Sequence, residues 1–251
     1  MTYRYAFLLE YDGGCFSGWQ SQHDHPVSVQ KALELALCEV TQESVSVYGS
    51  GRTDAGVHGC GQVAHSDFTR PMTFGRLHKG TNYYLKSSGL QVLDVRQVDD
   101  RFHARFSAVS RIYRYVILPR PNKSTLWNHR AWWVSRTIDL ERLHKASQML
   151  VGSKDFSNFR NAACQAKNPV RTLDRVTIEE HDGFLWLTFQ AQSFLYRQVR
   201  MMTGAMVRFA THTIQHEDMM HYFDPQSRLK PLAAPAHGLY LKNILYPYSV
   251  F

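Results

Sequence analysis

The stretch Gly49-Ser50-Gly51-Arg52-Thr53-Asp54-Ala55-Gly56-Val57-His58-Gly59-Cys60-Gly61-Gln62-Val63-Ala64-His65 places a cation, a carboxylate and an imidazole among five glycines. Glycine permits backbone conformations that other residues resist and lets another molecule approach the chain closely. A carboxylate held on such a loop can attack an electrophilic carbon, stabilise positive charge, or take a proton. The competing reading is a tight turn in which Asp54 bonds its own backbone. Other chemistries do not fit. The glycine spacing lacks the lysine of a phosphate-binding P-loop and the helix-opening pattern of a dinucleotide site. His58 and His65 stand seven apart without a third nearby ligand, which makes a poor metal pair.

Rigid elements must flank such a loop. Tyr3 to Tyr11 is aromatic and aliphatic and stops at Asp12-Gly13-Gly14, which predicts a strand ending in a turn. Ser28 is placed to cap a helix through about Val40, with Val29, Leu33, Ala36, Leu37 and Val40 at helical spacing. Val45–Tyr48 and Gln62–Phe68 read as the strands on either side of the loop. Further along, Val92, Val95 and Val98 suggest a strand, and Tyr113–Leu118 is a β-branched and aromatic run ended by Pro119. Asp139 can cap a helix carrying Leu140, Leu143, Ala146 and Leu150. Val176–Glu180 and Phe184–Gln190 form a hairpin through His181-Asp182-Gly183. A long helix is expected from about Ser193 to Thr211, its apolar stripe made by Leu195, Val199, Met202, Met206 and Phe209. Strands and helices mix without strict alternation, so the fold class is α+β.

Composition narrows the partner. Against 21 Asp and Glu stand 29 Lys and Arg, a formal charge of +8 over 251 residues, with a pI near 9.4. That balance suits a polyanion, although solubility alone would also explain it. Cys15, Cys38, Cys60 and Cys164 are scattered, with neither metal spacing nor a disulfide framework. Met1–Tyr5 shows no basic region followed by an apolar core, and no apolar run approaches the ~18–20 residues of a membrane span. The expectation is a cytoplasmic protein without a membrane segment, a metal or a cofactor.

The run Gly51-Arg52-Thr53-Asp54-Ala55-Gly56-Val57-His58, followed by Gly61-Gln62-Val63, resembles the signature of the TruA family of tRNA pseudouridine synthases. Tyr11-Asp12-Gly13 with Phe16, Gly18, Trp19 and Gln20 is similar to the family's opening. Phe102-His103-Ala104-Arg105-Phe106-Ser107-Ala108 with Arg111 and Tyr113-Arg114-Tyr115 is similar to its second block. Asp155-Phe156 with Phe159-Arg160, the segment from Phe194 to Arg200, and Ala234-Pro235-Ala236 with Gly238-Leu239 complete the match, which spans about Tyr11 to Leu241. Two positions depart from the pattern: His237 stands where bacterial relatives often carry Glu, and Lys86 where proline is usual.

The resemblance implies an enzyme that isomerises uridine to pseudouridine in the anticodon stem-loop of tRNA, at positions 38 to 40, without a cofactor. It implies two similar halves, each an antiparallel sheet backed by helices, joined into one surface with a basic active cleft between them. Residues 1–105 would carry the aspartate loop, and 106–251 the stacking tyrosine and the arginine helix. A homodimer binding tRNA is the implied assembly. Asp54 becomes the essential carboxylate, its role as nucleophile, electrostatic stabiliser or base left open. Tyr113 becomes the residue that stacks on the target base, though the run alone would make it core. Arg200 becomes the partner of the carboxylate, although Arg197, Arg200, Gly204 and Arg208 lie opposite the apolar stripe, where charge is ordinarily solvated. Arg52 would help flip the nucleotide out of its stack. Arg105, Arg111 and Arg114, with Arg101, would meet the RNA backbone or simply form a charged face. The rivals are a catalytically silent RNA-binding protein of the same fold and a nucleosidase that releases free uracil.

Overall fold

Apolar side chains on both faces of Tyr3–Tyr11 require that strand to be covered on both sides, and it lies inside a sheet. The computed structural model describes residues 2–20, 28–227 and 229–251. The chain forms two compact units, Met1–Arg111 with Tyr240–Phe251, and Ile112–Leu239.

In the first unit β1 (Tyr3–Tyr11) runs antiparallel to β3 (His58–Phe68) and to β4 (Leu90–Gln97). The free edge of β3 receives two short partners. β2 (Tyr48–Gly49) pairs with it antiparallel at His65 and Ala64. The last strand, β10 (Leu239–Leu245), pairs with it in parallel through Tyr240 opposite His58 and Leu241 opposite Gly59. Helix α1 (Val29–Thr41) starts where expected, with the Ser28 hydroxyl accepting from the Lys31 amide at 3.1 Å. Its face of Val29, Leu33, Leu37 and Val40 joins one core with Phe7, Leu9, Trp19, Val92 and Val95. A π-helical turn, Arg76–Gly80, leads into the short α2 (Thr81–Tyr84).

The strand expected at Val45–Tyr48 is mostly not one, since only Tyr48 is in a ladder. Val45 and Val47 are buried and Ser46 is exposed, as the alternation required. The backbone of Val47, however, bonds to side chains of α1: its amide donates to Glu34 at 3.1 Å and its carbonyl accepts from Gln30 at 3.1 Å.

In the second unit β5 (Ser110–Pro119), β9 (Phe184–Ala191), β8 (Val170–His181) and β7 (Gly152–Asp155) lie side by side in that order. β6 (Trp132–Val134) pairs with β5 in parallel. The hairpin β8–β9 turns on Asp182 and Gly183, both at positive φ (49° and 79°), as a two-residue primed turn requires. Leu185, Leu187, Phe189 and Ala191 are buried, and the residues between them are only partly so. Helix α3 (Leu140–Leu150) is capped by Asp139, whose carboxylate accepts from the Arg142 amide, and packs against α4 (Gln198–Ala210) and β8. The short α5 (His216–His221) follows. Strands in both orientations with helices make the class mixed α+β. Among the described residues no helix is long and apolar enough to cross a membrane.

Helix α4 differs from expectation in two ways. It begins at Gln198 and not near Ser193, because Arg197 adopts a left-handed conformation (φ 63°) and the Gln198 side chain turns back to accept from the Leu195 amide. The face opposite the stripe is not open to solvent either. A side chain at Gly204 would meet the Leu232 carbonyl at 1.9 Å, and the Ala234 amide donates to the Arg200 carbonyl at 2.9 Å. The segment before Pro235 therefore covers the arginine face, which explains why a glycine stands in it.

Candidate active site

The loop in the first unit is built by close backbone contact. Asp54 to Val57 form a β-turn closed by the Val57 amide on the Asp54 carbonyl at 3.1 Å. Gly56 occupies its third position at φ 80°, which is why glycine is needed there. A second loop supports the turn from below. The Gly56 amide donates to the Gly13 carbonyl at 3.2 Å, and a Cβ on Gly13 would lie 2.2 Å from the Val57 carbonyl oxygen. The Trp19 amide donates to the Thr53 carbonyl at 3.0 Å, and the buried Tyr11 hydroxyl pairs with Thr53 Oγ1 at 2.9 Å. The motif around Tyr11-Asp12-Gly13 and the motif around Asp54 are thus two sides of one structure.

Thr53 is buried, Asp54 half-buried and Arg52 exposed, so the buried threonine anchors the segment between the two charged residues. Residues 52–54 belong to no strand or helix. The segment from His58 to Gly61, which the glycines disguised as loop, is the start of β3. A Cβ on Gly59 would strike the Tyr11 ring and one on Gly61 the Lys242 carbonyl, so the glycines let ring and strand approach. His58 is 3% exposed. Its ring stacks on Tyr240 at 4.7 Å, and its Nδ1 accepts the Gly13 amide at 3.1 Å. Accepting there defines the tautomer with the proton on Nε2. Asp12 Oδ1 stands 3.2 Å from the same nitrogen, ready to pair only if the ring is protonated. His58 is accordingly a structural member of the loop, a role its position in a glycine-rich stretch did not announce.

Arg111 is half-buried, and its guanidinium donates to three carbonyls: Ser50 at 3.1 Å, Ala108 at 3.2 Å, and Arg105. It clamps the loop's first strand to the segment Phe102–Ala108. In that segment His103 Nδ1 accepts the amides of Arg105 and Phe106 at 3.1 and 3.3 Å, and the His103 amide donates to the Ser107 hydroxyl. His65 lies beneath, its Nδ1 accepting the Ala104 amide at 3.2 Å. Burial, helped by His103 and Arg4, pushes the His65 imidazole down to about 4. Arg105 is exposed.

The second unit carries Tyr113, Arg114 and Arg200. The Tyr113 ring is 9% exposed and stands edge-on to Phe194 at 5.3 Å. Arg200 is half-exposed, and its Nε donates to the Ala234 carbonyl at 2.8 Å. Neighbouring Tyr115 is fully buried, its hydroxyl donating to the Pro235 carbonyl at 2.7 Å, and a Cβ on Gly238 would enter its ring. Burial raises the Tyr115 phenol well above the ordinary value, with Arg200 pulling the other way, so it stays a neutral donor. The guanidinium of Arg114 lies 4.2 Å over Trp186, whose other neighbour is the parallel ring of His181 at 4.5 Å. Of the two departures, His237 faces the His129 ring at 5.7 Å, and Lys86 is exposed after α2. Among the described residues no three His, Cys, Asp or Glu side chains are grouped to hold a metal.

Comparison with known proteins bears directly on this arrangement. A family model described as tRNA pseudouridine synthase matches residues 8–107 and 146–247. The chain is 42% identical over 246 residues to a tRNA pseudouridine synthase A of Maricaulis maris, covering 97% of this chain and 98% of that one. It is 42% identical over 248 residues to that of Agrobacterium fabrum, covering 97% and 92%. Against the protein of Wolbachia pipientis wMel it is 39% identical over 244 residues, covering 97% and 100%.

Proposed function

The chain belongs to the TruA family of tRNA pseudouridine synthases, isomerases by class, and from that premise we propose that it modifies uridines 38 to 40 of the tRNA anticodon stem-loop with Asp54 as its essential carboxylate. The reaction breaks the N1–C1′ bond, turns the uracil and rejoins it through C5. The C5 proton is lost and N1 regains one, so no redox partner or group donor enters. Positive character at the sugar is what a carboxylate at C1′ can attack, stabilise or relieve.

The observation that carries this reading is the tie between the Asp54 turn and the Gly13 loop. It fixes the main chain around a half-buried carboxylate through backbone hydrogen bonds and close glycine contacts, which positions that carboxylate. An aspartate on a positioned loop is worth more than one on a mobile one, because small misplacement costs rate. We further infer that Tyr113 supplies the ring that stacks on the target base and that Arg200 keeps Asp54 ionised and oriented. Exposed Arg52 helps the nucleotide leave its stack, and Arg105 and Arg114 add basic contacts. The same family pattern supports two similar halves joined with the active cleft between them, a cytoplasmic homodimer, and one tRNA touching both subunits.

Asp54→Asn tests the reading. The turn is closed by the Asp54 main-chain carbonyl, so the near-isosteric amide variant keeps that closing bond while removing the negative charge. Removing a nucleophile or essential base commonly costs on the order of 10⁴-fold or more. Single-turnover pseudouridine formation should become undetectable while tRNA affinity changes little. Retained turnover in a folded variant would overturn the assignment.

A further inference from the structure

The most exposed ring of the Phe102–Ala108 segment belongs to a residue that the motif includes but to which no role was assigned. Phe106 is 76% exposed. A phenylalanine this open ordinarily means contact with something else or an incidental surface position. Here the surrounding structure holds it in place. Its own amide and that of Arg105 donate to His103 Nδ1, and the turn is closed again by the Ser107 amide on the His103 carbonyl at 2.9 Å. The ring lies 4.4 Å from His103, which in turn lies 4.6 Å from His65 and 5.9 Å from Tyr48, itself 52% exposed. The Arg105 guanidinium lies over the Phe106 ring at 5.7 Å from its centroid, a cation–π distance. Burial and the nearby Arg4 and Arg105 depress the His103 imidazole, so the supporting ring is neutral at physiological pH.

The geometry points to Phe106 as a stacking platform for one unpaired base of the RNA substrate, with Arg105, which lies over the free ring, swinging to the adjoining phosphate as the base takes its place. This rests on the proposed function, since it takes RNA to be the substrate. Aromatic rings accept bases by their π-faces only where the base is unstacked, and a flanking arginine supplies the backbone charge. A reaction that draws a nucleotide out of its stack loosens the stacking around it. The platform is also tied to the loop. Tyr48 precedes Asp54 by six residues, which bounds their Cα separation at about 22 Å even for an extended chain. Arg111 joins the Ser50 carbonyl to that of Arg105. One strand of RNA can therefore span both.

The experiment compares Phe106→Ala, Phe106→Leu, Phe106→Tyr and Phe106→Trp in tRNA binding titrations and single-turnover pseudouridine formation. Because the ring is exposed, none should disturb folding. Loss of one base–aromatic stack weakens binding by about 5- to 150-fold, so Ala and Leu should both lose affinity by that range while Tyr and Trp retain it. Affinity unchanged in Phe106→Ala overturns the proposal. Leu binding as well as Phe overturns it too, because an apolar contact would then suffice. A shift in sedimentation of the free Ala variant, without loss of RNA affinity, assigns the ring to a second copy of the chain and overturns it as well. Absence of pseudouridine with the unsubstituted enzyme would strike the proposed function, whereas the affinity series reads the platform separately.

Discussion

Replacing Arg111 by methionine distinguishes two roles that a sequence makes look alike. If Arg111 grips RNA phosphate, removing its charge leaves the fold alone and weakens binding. If it is a clamp, as its three carbonyl bonds imply, the fold pays first. Ser50 is 1% exposed, so water cannot easily replace the guanidinium at its carbonyl. The bond to Arg105 is exposed and contributes less, and the one to Ala108 is part-buried. At ~1 kcal/mol for each of the other two bonds and ~1–3 kcal/mol for the stranded buried carbonyl, Arg111→Met should cost about 3–5 kcal/mol. With a urea slope of about 3 kcal/mol/M for a protein of this size, the midpoint should fall by about 1–1.7 M. The slope of log affinity against log salt for tRNA should stay as it was. The control is Arg52→Gln, at an exposed position. That variant should keep its midpoint and lose about 0.7–0.9 from the salt slope, the signature of one phosphate contact. The reasoning is refuted if Arg111→Met unfolds like the parent while its salt slope falls by that amount.

Gly13→Ala should be costly, because its methyl would lie 2.2 Å from the Val57 carbonyl oxygen and the opposing group is backbone. We expect about 1–3 kcal/mol of lost stability and about 100-fold slower single turnover as the Asp54 turn shifts; normal values for both would show that the two loops are not coupled. His65 predicts a pH effect whose groups are His65 itself, the neighbouring His103 and Arg4, and Asp67 opposing them. A folded-state value near 4 against an ordinary 6.5 means that the unfolded chain takes a proton first as pH falls. Stability is therefore full above pH 6.5 and declines toward pH 4. The size is about 2 kcal/mol once screening by nearby water is allowed. His65→Asn keeps an acceptor for the Ala104 amide and should flatten this decline in urea titrations at pH 7 and pH 5; an unchanged decline would place its origin elsewhere.

Legibility followed locality. β1, α1, α3 and the β8–β9 hairpin were readable because periodicity, the caps Ser28 and Asp139, and the Asp182-Gly183 turn are all local signals. Glycine misled in opposite directions. At Gly56 it marked a turn, whereas at Gly59 and Gly61 it marked a strand pressed against a ring and another backbone. α4 was read as having a solvated face because the segment that covers it, around Leu232 to Ala234, is apolar but not periodic. The motif around Asp54 was legible, but what supports its turn was not. That Gly13 braces the turn, that His58 is an interior member, and that Arg111 bonds carbonyls are facts of long-range packing. An arginine's destination, phosphate or peptide, leaves no local trace.

The pairing of β10 with the start of β3 has a consequence for how this protein is made. The first unit is interrupted: all of Ile112–Leu239 lies in the chain between its sheet and the strand that closes it. At ribosomal speeds of about 5–20 residues per second, Tyr240 follows His58 by roughly 10–40 s. During that interval β1, β4 and α1 can already be assembled from local contacts. The edge of β3 at His58 and Gly59 nevertheless stays unpaired, and the imidazole beneath the aspartate loop lacks its stacking ring. An uncovered strand edge is also where nascent chains pair with one another. The loop bearing Asp54 thus matures last, when residues 239–245 emerge, and the nascent chain spends most of its synthesis with the scaffold built and the site unfinished.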